Sequence, residues 1–162
     1  MPVKNVAGDH PSLPVLLRRA HVVYGARMRA ALAEAGYDDI PENGLYVVGG
    51  LARQKGGRPL SELIAELGMS KQAAGQLVDA LVVRGYLKRD PDPDDRRRLT
   101  IALTERGRAA AKTIGAARDV VDATLLARIG AKEVDRARRA LAALIELDRE
   151  LRTADARQGS HA

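Results

Sequence analysis

The chain contains no cysteine, phenylalanine or tryptophan, and its aromatic residues are four tyrosines among 162 residues. Without cysteine, a disulfide framework, a thiolate nucleophile and a cysteine-ligated zinc site are all excluded. No apolar run approaches the roughly 20 residues that a membrane-spanning helix requires, and residues 1–12 lack the apolar core of a signal peptide. We therefore expect a soluble cytoplasmic protein that uses no metal and no other cofactor.

Aliphatic and basic side chains make up much of what is present. Hydrophobic residues account for 46% of the chain, which is enough for a folded core, and 162 residues fit a single domain. Because the aromatic fraction is 2%, leucine, valine, isoleucine and alanine must build that core, which favours helices packed on helices. The 27 lysines and arginines outnumber 21 acidic residues, and the formal net charge of +6 favours an anionic partner.

The segment from Pro59 to Gly107 has the pattern of a helix, a tight turn, a second helix and a β-hairpin. Pro59 suits the first position of a helix that runs to Leu67, and Gly68 can cap its end. After a break of about three residues, Ser70 caps the second helix. Such a break crosses two helices steeply, as a recognition helix requires if it is to enter a major groove.

The predicted hairpin carries three consecutive arginines at its tip. Gly85 ends the second helix, Tyr86–Arg89 turns extended, and Leu99–Leu103 alternates apolar residues with Thr and Ala as a half-buried strand does. Prolines and aspartates make residues 90–98 an exposed loop, which ends in Arg96-Arg97-Arg98. Thr104 is expected to cap the helix that follows.

Four further helical segments flank this unit. The first runs from Pro14 to Ala35 and ends at Gly36, and Pro41 opens the second. The second helix turns inward Leu45, Val48 and Leu51. The third runs to about residue 127, and Gly130 separates it from the fourth.

The flanking helices have more apolar face than the hairpin unit can cover. The surplus is expected to be buried against a second subunit, and a monomer with a compact helical cap is the alternative. The expected fold class is mainly α with a small β-hairpin wing (α+β), in one domain of residues 1–162. The winged helix-turn-helix occupies about residues 56–104, between dimerisation helices at about 14–55 and 105–152.

Four motifs, in this order and at this spacing, resemble the MarR (multiple-antibiotic-resistance regulator) family of bacterial transcription regulators. They are ELIAELGMS at Glu62–Ser70, LVDALVVRGYLKR at Leu77–Arg89, DPDDRR at Asp92–Arg97 and LTERG at Leu103–Gly107. The resemblance implies a homodimer that binds double-stranded DNA at a pseudo-palindromic operator. It also implies a response to a small molecule or another signal, with repression as the expected role.

The first group of residues expected to contact DNA lies on the recognition helix. Ser70 and the free N–H groups at the helix N-terminus are expected to hold a phosphate. Lys71, Gln72, Gly75 and Gln76 share the exposed face of this helix. Gln76 is the candidate for base readout, because a glutamine amide donates and accepts at once and so matches an adenine edge. A solvated glutamine is the alternative.

Two positions depart from the family pattern. Gly75 stands where a threonine or another polar residue is usual, although a glycine in mid-helix costs about 1 kcal/mol relative to alanine. Either the backbone comes close to DNA there, or the position has lost a base contact. Ile64 stands where a small residue is usual, and the small Ala73 and Ala74 can compensate for its volume.

The second group of DNA-binding residues lies in the wing. The resemblance pairs Asp95 with Arg97, which would hold the shape of the wing. Arg96 or Arg97 would then enter the minor groove of A·T-rich DNA, whose negative potential attracts arginine. The cations expected on phosphates are Lys88, Arg89 and Arg98. A solvated loop is the alternative, because nearby aspartates offset the positive charge.

The candidate effector site uses the first two helices. The resemblance implies that ligands lodge between the dimer helices and the winged unit, where His21, Tyr24 and Tyr46 can hydrogen-bond beside the apolar stripe. For His21, an ordinary surface or hydrogen-bonded core histidine is the alternative. The arginines on the first helix are Arg18, Arg19, Arg27 and Arg29. These features favour an apolar or aromatic effector that carries a carboxylate or a phenolate.

Two other function classes compete with DNA binding. An enzyme has little support, because the histidines are His10, His21 and His161 and no Walker loop, GxSxG, HExxH or Rossmann motif is present. We assign no catalytic residue. A winged-helix module that binds protein without sequence-specific DNA binding would be expected to lack the wing arginines, which this chain has.

Overall fold

The computed structural model describes residues 11–53, 58–59, 69–91 and 99–158. Its elements in chain order are α1 Leu13–Glu34, α2 Gly44–Leu51, β1 Arg58–Pro59, α3 Lys71–Val83, β2 Leu87–Pro91, β3 Leu99–Leu103, α4 Glu105–Ile129 and α5 Ala131–Gln158. The predicted fold class, mainly α with a small β-wing, is confirmed. The chain forms two compact units, Met1–Asp119 and Val120–Ala162. No helix within the described ranges combines the length and apolarity needed to cross a bilayer.

Helices α1 and α3 end in the same way, at a glycine followed by a tyrosine. Gly36 and Gly85 have φ angles of 77° and 74°, a left-handed conformation that glycine adopts without steric cost. The N–H groups of Tyr37 and Tyr86 then donate to leucine carbonyls of the preceding helix, at 2.8 and 2.9 Å. This Schellman arrangement confirms both predicted helix ends.

The core of the first unit is aliphatic and surrounds α2. Leu45, Val48 and Leu51 are at most 3% exposed, which confirms the predicted inward residues of this helix, and Val47 is buried as well. Burying one such side chain contributes roughly 1.5–3 kcal/mol to stability. The other buried members of the core are Met28, Leu32, Leu77, Val78, Leu81, Tyr86, Leu87, Ile101, Ala110, Ala111 and Ile114.

The wing is built on an antiparallel sheet with the strand order β1-β3-β2. The predicted hairpin is present, with pairs that run from Leu87 opposite Leu103 to Pro91 opposite Leu99. Strand β2 therefore includes Asp90 and Pro91, which the sequence placed in the loop. Thr100 is buried instead of facing solvent, and its hydroxyl donates to the Asp90 carbonyl at 3.2 Å. That hydrogen bond offsets the free-energy cost of burying the Thr100 hydroxyl.

The prediction that Pro59 opens a helix is wrong. Pro59 lies in β1, opposite Thr100 of β3. Because proline has no N–H to donate to a ladder, an edge strand suits it. The remainder of the predicted helix, residues 60–67, lies outside the described residues, as does Gly68.

Two further helix starts test the capping predictions. Helix α2 begins at Gly44 instead of Pro41, because the Pro41 carbonyl accepts from the Gly44 N–H at 2.8 Å and closes a turn first. Thr104 caps α4 as predicted, since its hydroxyl oxygen accepts from the Gly107 N–H at 3.0 Å.

The second unit, taken by itself, exposes a row of large apolar side chains. Gly130, with a φ of 84°, separates α4 from α5 at the predicted position. Apolar residues between 38% and 64% exposed in this unit are Val120, Leu125, Leu126, Ile129, Leu141, Leu144, Ile145 and Leu147. In the first unit, the N-terminal half of α1 also exposes Leu13, Leu16, Val22 and Val23.

Candidate nucleic-acid interface and effector cavity

The N-terminus of α3 is capped and its polar face is exposed. The Ser70 hydroxyl oxygen accepts from the Ala73 N–H at 3.2 Å, which confirms the predicted cap. Lys71, Gln72 and Gln76 are exposed and Gly75 is half-buried, while the opposite face of the helix is buried in the core. The residues of that buried face are Ala74, Leu77, Val78 and Leu81. Helix α3 therefore presents the predicted polar face to solvent.

Gly75 lies on this face in open space. A Cβ atom added at this position would meet no other atom within 4 Å. Packing around the described part of the chain therefore gives no reason for a glycine at this position.

The cations at the base of the wing are paired with carboxylates. Lys88 Nζ lies 2.6 Å from Asp90 Oδ2, and the Arg89 guanidinium donates to Asp79 Oδ1 on α3. Exposed ion pairs of this kind contribute roughly 0–1 kcal/mol, so a phosphate could replace either carboxylate. The predicted wing-tip residues Asp95, Arg96, Arg97 and Arg98 lie outside the described residues.

The three predicted effector residues lie together at one cavity of the first unit. His21, Tyr24 and Tyr46 line a volume of about 240 Å³. The rest of the lining is Met28, Leu45, Gly49, Gly50, Arg53, Ile114 and Arg118. The His21 and Tyr46 rings stack with their centroids 4.6 Å apart and an interplanar angle of 23°. Burial raises the pKa of Tyr46, so its hydroxyl remains a neutral hydrogen-bonding group.

The cations of the cavity differ from those singled out in the sequence. Arg53 follows α2 and Arg118 lies on α4, where it also donates to Asp119 Oδ1 at 2.8 Å. Arg18 and Arg19 border a separate groove on α1. Helical spacing relates Arg118 to Ile114 on one face of α4, but only packing brings that face and Arg53 to the cavity.

The recognition helix, the antiparallel wing and the flanking helices together define a winged-helix protein. A family model described as the MarR family matches residues 39–98. Comparison with curated protein sequences finds no match to the chain.

Solved structures with this fold include several regulators. The transcription regulator MarR from Oenococcus oeni PSU-1 is 18% identical, with a TM-score of 0.67 over 83% of this chain and 99% of that chain. NadR in complex with 4-hydroxyphenylacetate is 21% identical, with a TM-score of 0.69 over 89% and 97%. A probable transcriptional regulator from Pseudomonas aeruginosa is 26% identical, with a TM-score of 0.61 over 82% and 96%. With the family model over residues 39–98 and the four sequence motifs, this likeness supports a winged-helix transcription regulator of the MarR family.

Proposed function

We propose that this protein is a transcriptional repressor that binds a pseudo-palindromic DNA operator as a homodimer. The observation that carries the proposal is the exposed face of α3, where Lys71, Gln72 and Gln76 follow a capped helix N-terminus. An N-terminus of this kind favours a phosphate, and the polar side chains beside it are those that read base edges. The net charge of +6 supports the same partner.

The exposed apolar side chains support the dimer. Helix α5 carries Leu141, Leu144, Ile145 and Leu147 between 42% and 60% exposed. Burying such side chains would stabilise the protein by roughly 25 cal/mol per Å² of apolar surface. A second copy of the chain is the partner that a symmetric operator requires, because each subunit supplies one recognition helix.

The test combines mass and DNA binding. At micromolar concentration the protein should have a dimeric mass, and it should retard a palindromic duplex whose half-sites are about one turn, roughly 10 bp, apart. The natural duplex to begin with is the region upstream of its own gene, with a scrambled duplex of the same composition as control. A monomeric mass would contradict the dimer. Equal affinity for both duplexes would favour a protein-interaction module over a sequence-specific regulator.

We further propose that a small aromatic compound with a carboxylate or phenolate releases the protein from DNA. The cavity combines aliphatic walls with the hydrogen-bonding groups of Tyr24, Tyr46 and His21 and the cations of Arg53 and Arg118. Its volume of about 240 Å³ lies below the roughly 300–1,000 Å³ of drug-sized sites, so a single-ring compound suits it. NadR, which shares the fold, was crystallised with 4-hydroxyphenylacetate. Release requires that the compound bind the DNA-competent and incompetent states with different affinity.

Gel shifts with a panel of aromatic acids and phenols test this proposal. At least one compound should release the operator, and mild peroxide should not, because no cysteine is present to form a sulfenate. Tyr24→Ala should still bind DNA but lose most of the response. Arg118→Gln should weaken release by a carboxylate, whereas Arg27→Gln, an exposed position on α1 outside the cavity, should not. Release by peroxide without any ligand effect would contradict the proposal.

A further inference from the structure

Asp39, Tyr86 and Arg106 form a closed hydrogen-bonded cluster in the first unit. The Tyr86 hydroxyl donates to Asp39 Oδ1, and Arg106 Nη2 donates to the same carboxylate oxygen at 3.0 Å. Arg106 Nη2 also lies 3.0 Å from the Tyr86 hydroxyl oxygen, to which it donates. Each of the three side chains therefore contacts the other two.

The cluster is packed as well as hydrogen-bonded. The Arg106 guanidinium carbon lies 4.7 Å from the centroid of the Tyr86 ring and 5.9 Å from that of Tyr37, within cation–π range. The two tyrosine rings meet edge to face, with centroids 6.2 Å apart. Tyr86 is fully buried, while the side chains of Asp39 and Arg106 are 42% and 45% exposed. The buried ring thus holds the two charged groups in one arrangement.

The three residues come from three separate parts of the chain. Asp39 follows α1, Tyr86 lies between the recognition helix α3 and strand β2, and Arg106 lies in the first turn of α4. Helices α1 and α4 also supply cavity-lining residues, among them Met28 and Ile114. The cluster therefore connects the helices that line the cavity to the point where the recognition helix passes into the wing.

The charges in the cluster stabilise one another. The hydrogen bond from Tyr86 and the neighbouring Arg106 guanidinium hold the pKa of Asp39 below its ordinary value, so the carboxylate stays ionised at neutral pH. An ionised acceptor strengthens both hydrogen bonds that it receives.

We propose that Asp39 and Arg106 are positioning residues for DNA binding. Through Tyr86 they hold the end of α3 and the base of the wing in one orientation relative to α1 and α4. They do so without touching DNA. The proposal rests on the proposed function, and it predicts that the cluster also carries the effect of a cavity ligand to the recognition helix.

The experiment compares Asp39→Asn, Tyr86→Phe and Arg106→Gln with Lys112→Gln, which removes an exposed charge elsewhere on α4. Each cluster variant should lose roughly tenfold in operator affinity, about the effect of one hydrogen bond to a charged group. The slope of affinity against salt should not change, because no phosphate contact is lost. Paired substitutions should cost less than the sum of the single ones, because all three residues act together. Lys112→Gln should bind like the parent.

Two further measurements separate positioning from general stability and from direct contact. Thermal unfolding identifies any variant that fails to fold, and hydrogen exchange in β2 should be faster in each folded cluster variant than in Lys112→Gln. Arg106→Lys keeps the charge but loses the planar guanidinium, so it should not restore affinity. Full rescue by lysine, or a reduced salt slope in Arg106→Gln alone, would make Arg106 a phosphate contact and overturn the proposal.

The outcomes also distinguish this proposal from the one on which it rests. If the parent protein binds no duplex, the proposed function fails and the positioning role fails with it. If the parent binds its operator and the folded cluster variants match it in affinity, salt slope and hydrogen exchange, the positioning role alone is wrong.

Discussion

At the scale of single residues, Gly107 shows how closely α4 approaches the start of the wing. A Cβ atom at this position would lie 2.0 Å from the backbone carbonyl oxygen of Tyr86. No side-chain rotation can relieve that overlap, because the carbonyl oxygen belongs to the main chain and the Cβ atom is bonded directly to it. Only a glycine allows the approach that places Arg106 beside Tyr86.

We therefore expect Gly107→Ala to lower the free energy of unfolding by about 1–3 kcal/mol, the usual cost of forcing atoms into a packed site. Gly115→Ala is the matched control in α4, because a Cβ there meets only the Arg118 side chain at 4.0 Å. That control should stabilise the protein by roughly 0.5–1 kcal/mol, since alanine favours a helix interior. Urea unfolding of both variants measures the difference, and equal stabilities would show that α4 can move away from Tyr86.

Residue-scale features were predictable where the cause is local. The caps at Ser70 and Thr104 and the helix ends at Gly36 and Gly85 each depend on neighbours within a few positions. The cluster could not be predicted in the same way, because Asp39 lies 47 positions from Tyr86 and 67 from Arg106. Only the packed fold brings these groups together.

At the scale of elements, α3 was predicted well and β1 was not. The buried and exposed faces of α3 follow from the period of its apolar residues, which the sequence shows directly. Pro59 was misassigned because its preference for a first helical position is local, whereas its pairing with β3 depends on a strand about 40 residues later. Two-residue strands carry no alternation from which they could be recognised.

The recognition helix and the wing are predicted to contribute differently to DNA binding, the first to sequence discrimination and the second to phosphate contacts. Gln76→Ala should lose discrimination at one base position in each half-site, at a cost of roughly 1–3 kcal/mol there. Arg98→Ala should weaken binding to all sequences alike and reduce the salt slope by about one unit, as the loss of one phosphate contact does. Titrations of both variants against single-base operator variants, at several salt concentrations, measure the two effects. The same sequence-independent loss in both variants would show that Gln76 does not read a base.

At the scale of the whole molecule, the compact units divide inside α4, between Asp119 and Val120. Helices α1 and α2 therefore belong to the same compact unit as the recognition helix. The sequence indicated three of the cavity residues, because the family resemblance implies that ligands bind beside the two helices that precede the winged unit. It did not indicate Arg53 and Arg118, because which helices line a cavity is decided by packing and not by the pattern within any one of them.

The scarcity of aromatic residues has a practical consequence. With no tryptophan, the intrinsic ultraviolet fluorescence of the protein comes from four tyrosines. Tyr24 and Tyr46 line the cavity, while Tyr37 and Tyr86 meet beside Arg106. A chain with Tyr37→Phe and Tyr86→Phe would emit from the cavity pair alone, and a chain with Tyr24→Phe and Tyr46→Phe would emit from the other pair alone. The fluorescence of the first variant would therefore report on the cavity, and that of the second on the junction between recognition helix and wing.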